Sequence, residues 1–240
     1  MRRQYALAIS LFAIVIAGTL LGGQADLDEP FGIATAVAPE GPLWVEWRRL
    51  QSEIRSDEIV IAQCRAEPDS CGSPAALRFL AIVEAAKEYA GLPRIGHINR
   101  AVNLALRPSV GDADSVWKSP LAALASATGN CASYAITKYA ALGDAGIAAD
   151  DLHLVTVRIK SRRELHMVVT VRDFGRWIVL DNRSMALLES NGIDDYLPMF
   201  TLDHRGVRQF VPPASLIPPA SPKVTATPCS QIAGGYSGPS

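Results

Sequence analysis

Cys131 follows a Gly-Asn pair and precedes a helical run, in the segment GNCASYAITKYAAL. Gly129 permits a tight turn and Asn130 is a good helix N-cap, so we expect a helix to begin at Cys131. Free backbone N–H groups and the positive end of the helix dipole favour a thiolate there and lower the thiol pKa. The same N–H groups can bind a developing oxyanion. This position suits a nucleophile, although a packed core cysteine fits it as well.

His166 and Asp181 are the candidate base and orienting carboxylate. The segment HMVVTVRDFGRWIVLDN, residues 166–182, is typical of two strands joined by a turn. A turn that pairs residues 172 and 175 places His166 directly opposite Asp181, whereas a turn that pairs residues 173 and 176 makes them diagonal neighbours. Both registers keep the imidazole and the carboxylate on one face of the sheet. A bulge in the turn would separate them.

Cys131, His166 and Asp181 together have the composition of a nucleophile–base–orienter triad. Cys131 would attack a carbonyl carbon, and His166 would accept the thiol proton and later protonate the leaving amine. Asp181 would hold the imidazole tautomer and stabilise the imidazolium. Each residue also has a structural interpretation, as core filler, strand end and turn cap, but the three in this order favour the triad.

The chain has three other histidines, which are weaker candidates for the base. His97 and His204 fall in or beside predicted loops. His153 lies on a predicted strand, but the predicted strand pairs bring no carboxylate next to it. We therefore expect His166 to be the base.

The first 25 residues have the layout of a secretory signal peptide. Arg2 and Arg3 precede an apolar run over residues 6–21, and Gly23-Gln24-Ala25 is a small-x-small cleavage site. An uncleaved membrane anchor is the alternative, but the run is shorter than the ~20 residues that span a bilayer. We expect a periplasmic or secreted protein, anchored to the membrane if the signal stays uncleaved.

The composition is that of a globular protein. The chain has 240 residues, of which 49% are apolar and 20% charged, and its net charge is −1. This balance argues against nucleic acid as a partner, because nucleic-acid binders normally carry a basic surplus. We expect one domain over residues 30–212, followed over residues 213–240 by a Pro/Ser/Gly-rich tail too poor in apolar residues to fold.

The four cysteines have different expected roles. Cys64 and Cys71 enclose a short polar loop, and in an oxidising compartment this spacing predicts a disulfide between them. A bridge from Cys131 to Cys229 is disfavoured because it would tie a helix start to an unfolded tail, so we expect two thiols. The chain has no CxxC or HExxH motif and no Cys/His cluster, which argues against a structural zinc site.

Helical patterns come first in the chain and strand patterns later. We predict helices around Trp44 and Trp47, over residues 74–89 and 97–106, after Ser119-Pro120, and from Cys131 onward. Gly91-Leu92-Pro93 is expected to end the second of them. From Leu152 the pattern alternates as strands do. The fold class we expect is α+β, with N-terminal helices packed on an antiparallel sheet.

Three segments, GNCASYAITKYAAL, HMVVTV and WIVLDN, resemble the bacterial transglutaminase-like cysteine peptidases. The APEGPLWVEW, HINRAVN and SVWKSPLAAL segments fit as well, so the resemblance covers roughly residues 31–211. It implies a papain-like or transglutaminase-like core and an extracytoplasmic peptidase with Cys131, His166 and Asp181 as catalytic residues. Asn182 would support the site structurally. Members of this family cut surface adhesins in the periplasm, so the resemblance implies a protein substrate and allows a membrane-bound regulator.

The residues beside Cys131 depart from the family pattern. The family usually has Asp-Cys-Glu at this point, and in its calcium-dependent members the two acids help to bind Ca²⁺. Here they are Asn130 and Ala132. Calcium prefers several hard and anionic oxygen ligands, and Ala132 supplies no side-chain oxygen at all. The sequence therefore argues against a calcium requirement, and we expect no cofactor.

Two other functions stay open at the level of sequence. The same fold and acyl-enzyme chemistry serve acyl transfer to amines, as in transglutaminases. A non-catalytic periplasmic binding module is also consistent with the altered residues beside Cys131. The sequence does not predict the substrate, the cleavage motif or the oligomeric state.

Overall fold

The computed structural model describes residues 29–109 and 116–211. The predicted signal peptide, the predicted tail and Cys229 lie outside these residues, and the domain boundaries stay predictions. Across the described ranges, no helix combines the length and apolarity that crossing a membrane requires.

Residues 29–109 and 116–211 contain five α-helices, and most of them have clear start signals in the sequence. Ser73 and Ser119 accept hydrogen bonds from the backbone N–H three residues on, and proline stands at the first position of three helices. Proline suits that position because its missing N–H has no partner there in any helix. The helices are α1 (Pro42–Ala66), α2 (Pro74–Lys87), α3 (Gly91–Ala105), α4 (Pro120–Ser126) and α5 (Cys131–Asp144).

The sheet has seven antiparallel strands in the order β1-β9-β8-β4-β5-β6-β7. A separate short parallel pair, β2 with β3, precedes α5. The α+β class is therefore confirmed. The strands are β1 (Thr35–Val37), β2 (Arg107–Pro108), β3 (Thr128–Gly129), β4 (Leu152–Ile159), β5 (Glu164–Asp173), β6 (Arg176–Leu180), β7 (Leu188–Glu189), β8 (Tyr196–Asp203) and β9 (Gly206–Phe210).

The helices and the sheet share one large apolar core, and α5 lies at its centre. Ten of the fourteen residues of α5 are buried, and this helix packs more extensively on β5 than on any other strand. A smaller apolar cluster that includes Val157, Val168 and Phe210 forms a second core. Trp47 is fully buried and Trp44 half-buried, as expected of residues that anchor α1.

The helix predicted from His97 begins earlier than expected. Gly91-Leu92-Pro93 does not merely end α2, because α3 begins at Gly91 itself. Proline is tolerated in the first turn of a helix, where the backbone N–H groups have no intrahelical acceptor. His97 consequently lies inside α3, where its ring stacks on Tyr89 at 5.7 Å, and the prediction that it falls in or beside a loop is wrong.

The turn between β5 and β6 selects one of the two predicted registers. Asp173 pairs with Arg176, and Val169 pairs with Leu180. Phe174 and Gly175 form the two-residue turn with φ of 47° and 77°. Two consecutive positive φ angles match the twist of an antiparallel hairpin, so no bulge disturbs the pairing. The His166–Asp181 relationship is therefore the diagonal one.

The predicted disulfide between Cys64 and Cys71 is confirmed. It joins the last turn of α1 to the short connection that leads into α2, so it fixes how the chain enters the second helix. Cys64 is buried in the helical core.

Candidate active site

The start of α5 is built around the Asn130 cap. Its side-chain oxygen accepts hydrogen bonds from the Ser133 backbone N–H at 3.0 Å and from the Ser133 hydroxyl at 3.1 Å. Gly129 is needed because a Cβ at this position would lie 2.5 Å from the Cβ of Ser133. Cys131 follows as the first residue of the helix and is 2% exposed. The predicted helix start at Cys131 is therefore present.

Cys131 is disulfide-bonded in this structure, and no described cysteine is free. Cys64 and Cys71 are bonded to each other. The expectation of a thiol at Cys131 is therefore not met, since sequence spacing does not predict which distant cysteines pair. A sulfur in a disulfide is not a thiolate, so nucleophilic chemistry at Cys131 requires reduction of the bond.

His166 and Asp181 form a buried hydrogen-bonded pair. Nε2 of His166 lies 2.8 Å from Oδ1 of Asp181, and the imidazole is fully buried. An ionised carboxylate can only accept, so Nε2 carries the proton and Nδ1 carries the lone pair. Nδ1 is buried and has no hydrogen-bond partner within residues 29–109 and 116–211. It is the ring atom available to accept a proton.

Two further donors hold the Asp181 carboxylate. The Arg183 backbone N–H donates to Oδ1 at 2.9 Å, and the Tyr196 hydroxyl donates to Oδ2. Burial opposes ionisation of this carboxyl, but the His166 contact and these two donors hold its pKa well below the usual range. Burial and the Asp181 charge in turn raise the pKa of Tyr196, which stays protonated and can donate. Asp181 is therefore an anion at neutral pH.

Helix α3 fixes the chain that follows Asp181. The Asn103 side-chain amide donates to the Asp181 backbone oxygen at 3.0 Å and to the Ser184 oxygen at 3.2 Å. Asn99, one turn earlier, donates to the same Ser184 oxygen at 3.2 Å. Sequence reasoning did not assign these roles or the role of Tyr196. The i, i+4 spacing of the two asparagines in HINRAVN is the signal that could have shown that they share one face of a helix.

The three predicted catalytic residues are brought together to different degrees. His166 and Asp181 are in direct contact. Cys131 belongs to the same buried core cluster as Met167, the residue after His166, and its helix packs on β5. Asn182 is next to Asp181, and its side-chain oxygen is buried without a hydrogen-bond partner in the described part of the chain.

His153 also has a carboxylate neighbour, contrary to the prediction. Its Nδ1 lies 2.9 Å from the Thr201 hydroxyl and 3.3 Å from the Asp203 carboxylate, across the β4–β8 pair that sequence reasoning did not foresee. Its Nε2 faces the Asp150 carbonyl oxygen at 3.4 Å. Both ring nitrogens therefore have polar neighbours. Burial is the main cause that lowers the pKa of His153 to about 4. His153 therefore differs from His166, whose Nδ1 has no hydrogen-bond partner among the described residues.

The residues at the α5 start do not form a metal-binding set. The Asn130 oxygen already serves as the helix cap, and Ala132 is fully buried without a donor. Within the described ranges, no group of three or more His, Cys, Asp or Glu side chains could hold a metal ion.

A cysteine at a helix start and a buried His–Asp pair on an antiparallel sheet supply the residue types of a nucleophile–base–orienter set. The chain belongs to the bacterial transglutaminase-like cysteine proteinase family, whose sequence model matches residues 60–196. It is accordingly a cysteine peptidase of the transglutaminase-like type. Among curated proteins no sequence match was found.

Solved structures share this fold at low sequence identity. Calcium-bound LapG of Legionella pneumophila is 18% identical with a TM-score of 0.54, and the match covers 62% of this chain and 87% of that chain. EGTA-treated LapG of the same organism is also 18% identical with a TM-score of 0.52, covering 64% and 84%. The likeness to these structures is one of fold.

Proposed function

We propose that this protein is an extracytoplasmic peptidase that cleaves a protein substrate through Cys131, His166 and Asp181. One observation carries the proposal. The Nε2–H group of His166 donates a hydrogen bond to the anionic Asp181, and Nδ1 is buried without a hydrogen-bond partner among the described residues. This is the tautomer that a general base requires, because the lone pair points away from the orienting carboxylate.

The reaction begins once Cys131 is a thiol. Nδ1 of His166 accepts the thiol proton, and the thiolate attacks the scissile carbonyl carbon. Backbone N–H groups at the α5 start stabilise the oxyanion, and the imidazolium then protonates the leaving amine. His166 next takes a proton from water, the hydroxide attacks the thioester, and Cys131 leaves as a thiolate. Throughout, the Asp181 anion stabilises the imidazolium form of His166.

The sequence supports the proposed compartment and substrate class. Residues 1–25 have a signal-peptide layout, which supports action in the periplasm or outside the cell. The resemblance to peptidases that release surface adhesins supports a cell-surface protein as substrate. Asn182 would support the loop after β6 in this enzyme.

The test uses the full mature chain, reduced with a mild thiol reagent, and a quenched fluorescent peptide library. We expect wild-type protein to cleave at least one library member, and Cys131→Ala and His166→Gln to lose this activity while remaining folded by circular dichroism. Full activity in Cys131→Ala would overturn the proposal. Iodoacetamide labelling with peptide mapping gives a second measurement, in which Cys131 is the expected site.

Acyl transfer to amines is distinguished by a competing acceptor. A labelled primary amine is added to a cleavage reaction, and we expect the free carboxyl product with no label incorporated. A labelled product would identify an acyltransferase instead. Absence of both products, with no iodoacetamide labelling of Cys131, would favour a binding module.

A further inference from the structure

Lys138 is a fully buried basic residue inside the catalytic helix. It lies on α5, seven residues or two turns after Cys131, and has no exposed surface. Its Nζ has no hydrogen-bond partner within the described residues. A buried amino group without a partner costs free energy, so its presence here calls for a compensating interaction.

The surroundings of Asp181 supply the interaction. Burial lowers the pKa of Lys138 to about 7, and the negative charge of Asp181 acts in the opposite direction and raises it. Two acceptor oxygens beside this carboxylate, those of Asn103 and Asn182, are also buried and unpartnered within the described residues. Asn103 is tied to the Asp181 backbone oxygen at 3.0 Å. Lys138 and these acceptors are thus buried polar groups on elements that pack together, since α5 packs on both α3 and β5.

The other polar groups near Asp181 already have defined partners. His166 and Tyr196 contact the carboxylate from β5 and β8, and Arg183 reaches it through its backbone N–H. The Arg183 guanidinium itself pairs with Glu164 at 2.5 Å. Lys138 is therefore a buried basic group on α5 whose charge acts on Asp181.

We propose that Lys138 is a positioning residue of this site: its buried amino group acts on the Asp181 carboxylate and, through it, on the proton affinity of His166. The inference rests on the proposed function only in taking His166 as the base. When Lys138 is protonated, its positive charge competes with the imidazolium for the same carboxylate. When Lys138 is neutral, the full charge of Asp181 stabilises the protonated imidazole.

The test reads the His166 titration directly by NMR of histidine-labelled protein. The background is the full mature chain with Cys131→Ala, so that no thiol titrates with the imidazole, and His166→Gln assigns the resonance. We expect Lys138→Met to move the His166 midpoint upward by about half a pH unit or more, because a nearby positive charge is removed. An unchanged midpoint, or a downward shift, would overturn the proposal.

Thr137→Val is the matched control for general disturbance of α5. Thr137 is also fully buried and polar, and its hydroxyl donates to the Ser133 oxygen at 2.8 Å. We expect this variant to lower the melting temperature without moving the His166 midpoint. An equal shift in Thr137→Val would show that Lys138→Met acts through packing, which contradicts the proposal.

A reciprocal measurement covers the case in which Lys138→Met does not fold. Asp181→Asn keeps the size of the side chain and removes its charge, and the Lys138 side chain is followed by carbon NMR of labelled lysine. Coupling between two groups is mutual, so the Lys138 pKa should fall in Asp181→Asn. No change in that pKa would overturn the inference. Neither measurement depends on peptide cleavage, so a failed peptidase assay and a failed Lys138 test are distinct results.

Discussion

Tyr196 donates its hydroxyl to the Asp181 oxygen that His166 does not use. The strand β8 and the strand β5 therefore hold one carboxylate from two directions. Because both oxygens are engaged, the carboxylate plane is fixed and the imidazole meets it in one orientation. The orientation of His166 consequently depends on a residue 30 positions further along the chain.

Removal of the Asp181 charge should strongly reduce the rate of peptide cleavage. In Asp181→Asn, the side-chain amide can donate to Nε2 and favour the opposite tautomer, which leaves Nδ1 protonated and unable to act as a base. We expect kcat/KM to fall by about 10²–10⁴-fold with KM almost unchanged. Steady-state peptide cleavage measures the effect, and circular dichroism establishes that the variant is folded. Retention of more than a tenth of the activity would contradict the role assigned to Asp181.

Tyr196→Phe should have a smaller effect with a specific signature. The ring stays in place and one hydrogen bond to a charged group is lost, which is worth about 1.5–3 kcal/mol. We expect kcat to fall by about 10-fold or more, and the acid limb of the pH profile to move upward as the Asp181 pKa rises. Tyr89 is exposed and follows the C-terminal end of α2. Tyr89→Phe therefore serves as the control and should leave the pH profile unchanged.

Gly129→Ala should disturb the start of α5. The added methyl group would lie 2.5 Å from the Cβ of Ser133, so the Asn130 cap and Cys131 must shift. We expect a lower melting temperature and loss of most peptidase activity. Gly72→Ala is the matched control, because a Cβ there meets no atom within 4 Å. Equal behaviour of the two variants would contradict the tight packing at Gly129.

His153 should make the fold sensitive to acid. Its pKa is lowered to about 4, chiefly by burial, whereas an unfolded histidine titrates near ~6.5. The unfolded state therefore binds the proton more readily, and stability is lost as the pH falls from about 6.5 towards 4, by about 2–3 kcal/mol. Urea unfolding at pH 7 and pH 4.5 measures the loss. His153→Gln should lose less stability over this interval than wild type, and exposed His204→Gln should behave as wild type does.

Chelation of calcium should leave this protein unaffected. The cap role of Asn130 and the buried methyl group of Ala132 leave the α5 start without the acidic pair that calcium prefers. We expect the melting temperature and the peptidase rate to be the same with EGTA and with added CaCl₂. A melting temperature that drops in EGTA and recovers with calcium would show that other residues bind the ion.

Local patterns predicted the parts of the site that lie close together in the chain. The Asn130 cap and the His166–Asp181 hairpin follow from short-range rules for helix starts and strand alternation. Partners from distant strands could not be predicted this way. Tyr196 reaches Asp181, and Asp203 reaches His153, only because β8 pairs with β4, and that pairing depends on the whole sheet. The same applies to the disulfide at Cys131, since spacing does not reveal which distant cysteines meet.

The two-residue turn at Phe174 and Gly175 limits which mutations the hairpin tolerates. Phe174 is 93% exposed and Gly175 has open space around it, so the chemical identity of the tip matters little to the core. Its length matters greatly, because one inserted residue shifts the β5–β6 register and turns His166 and Asp181 to opposite faces. The tip of the hairpin can therefore accept substitutions that preserve its backbone angles, whereas single-residue insertions and deletions there should inactivate the enzyme.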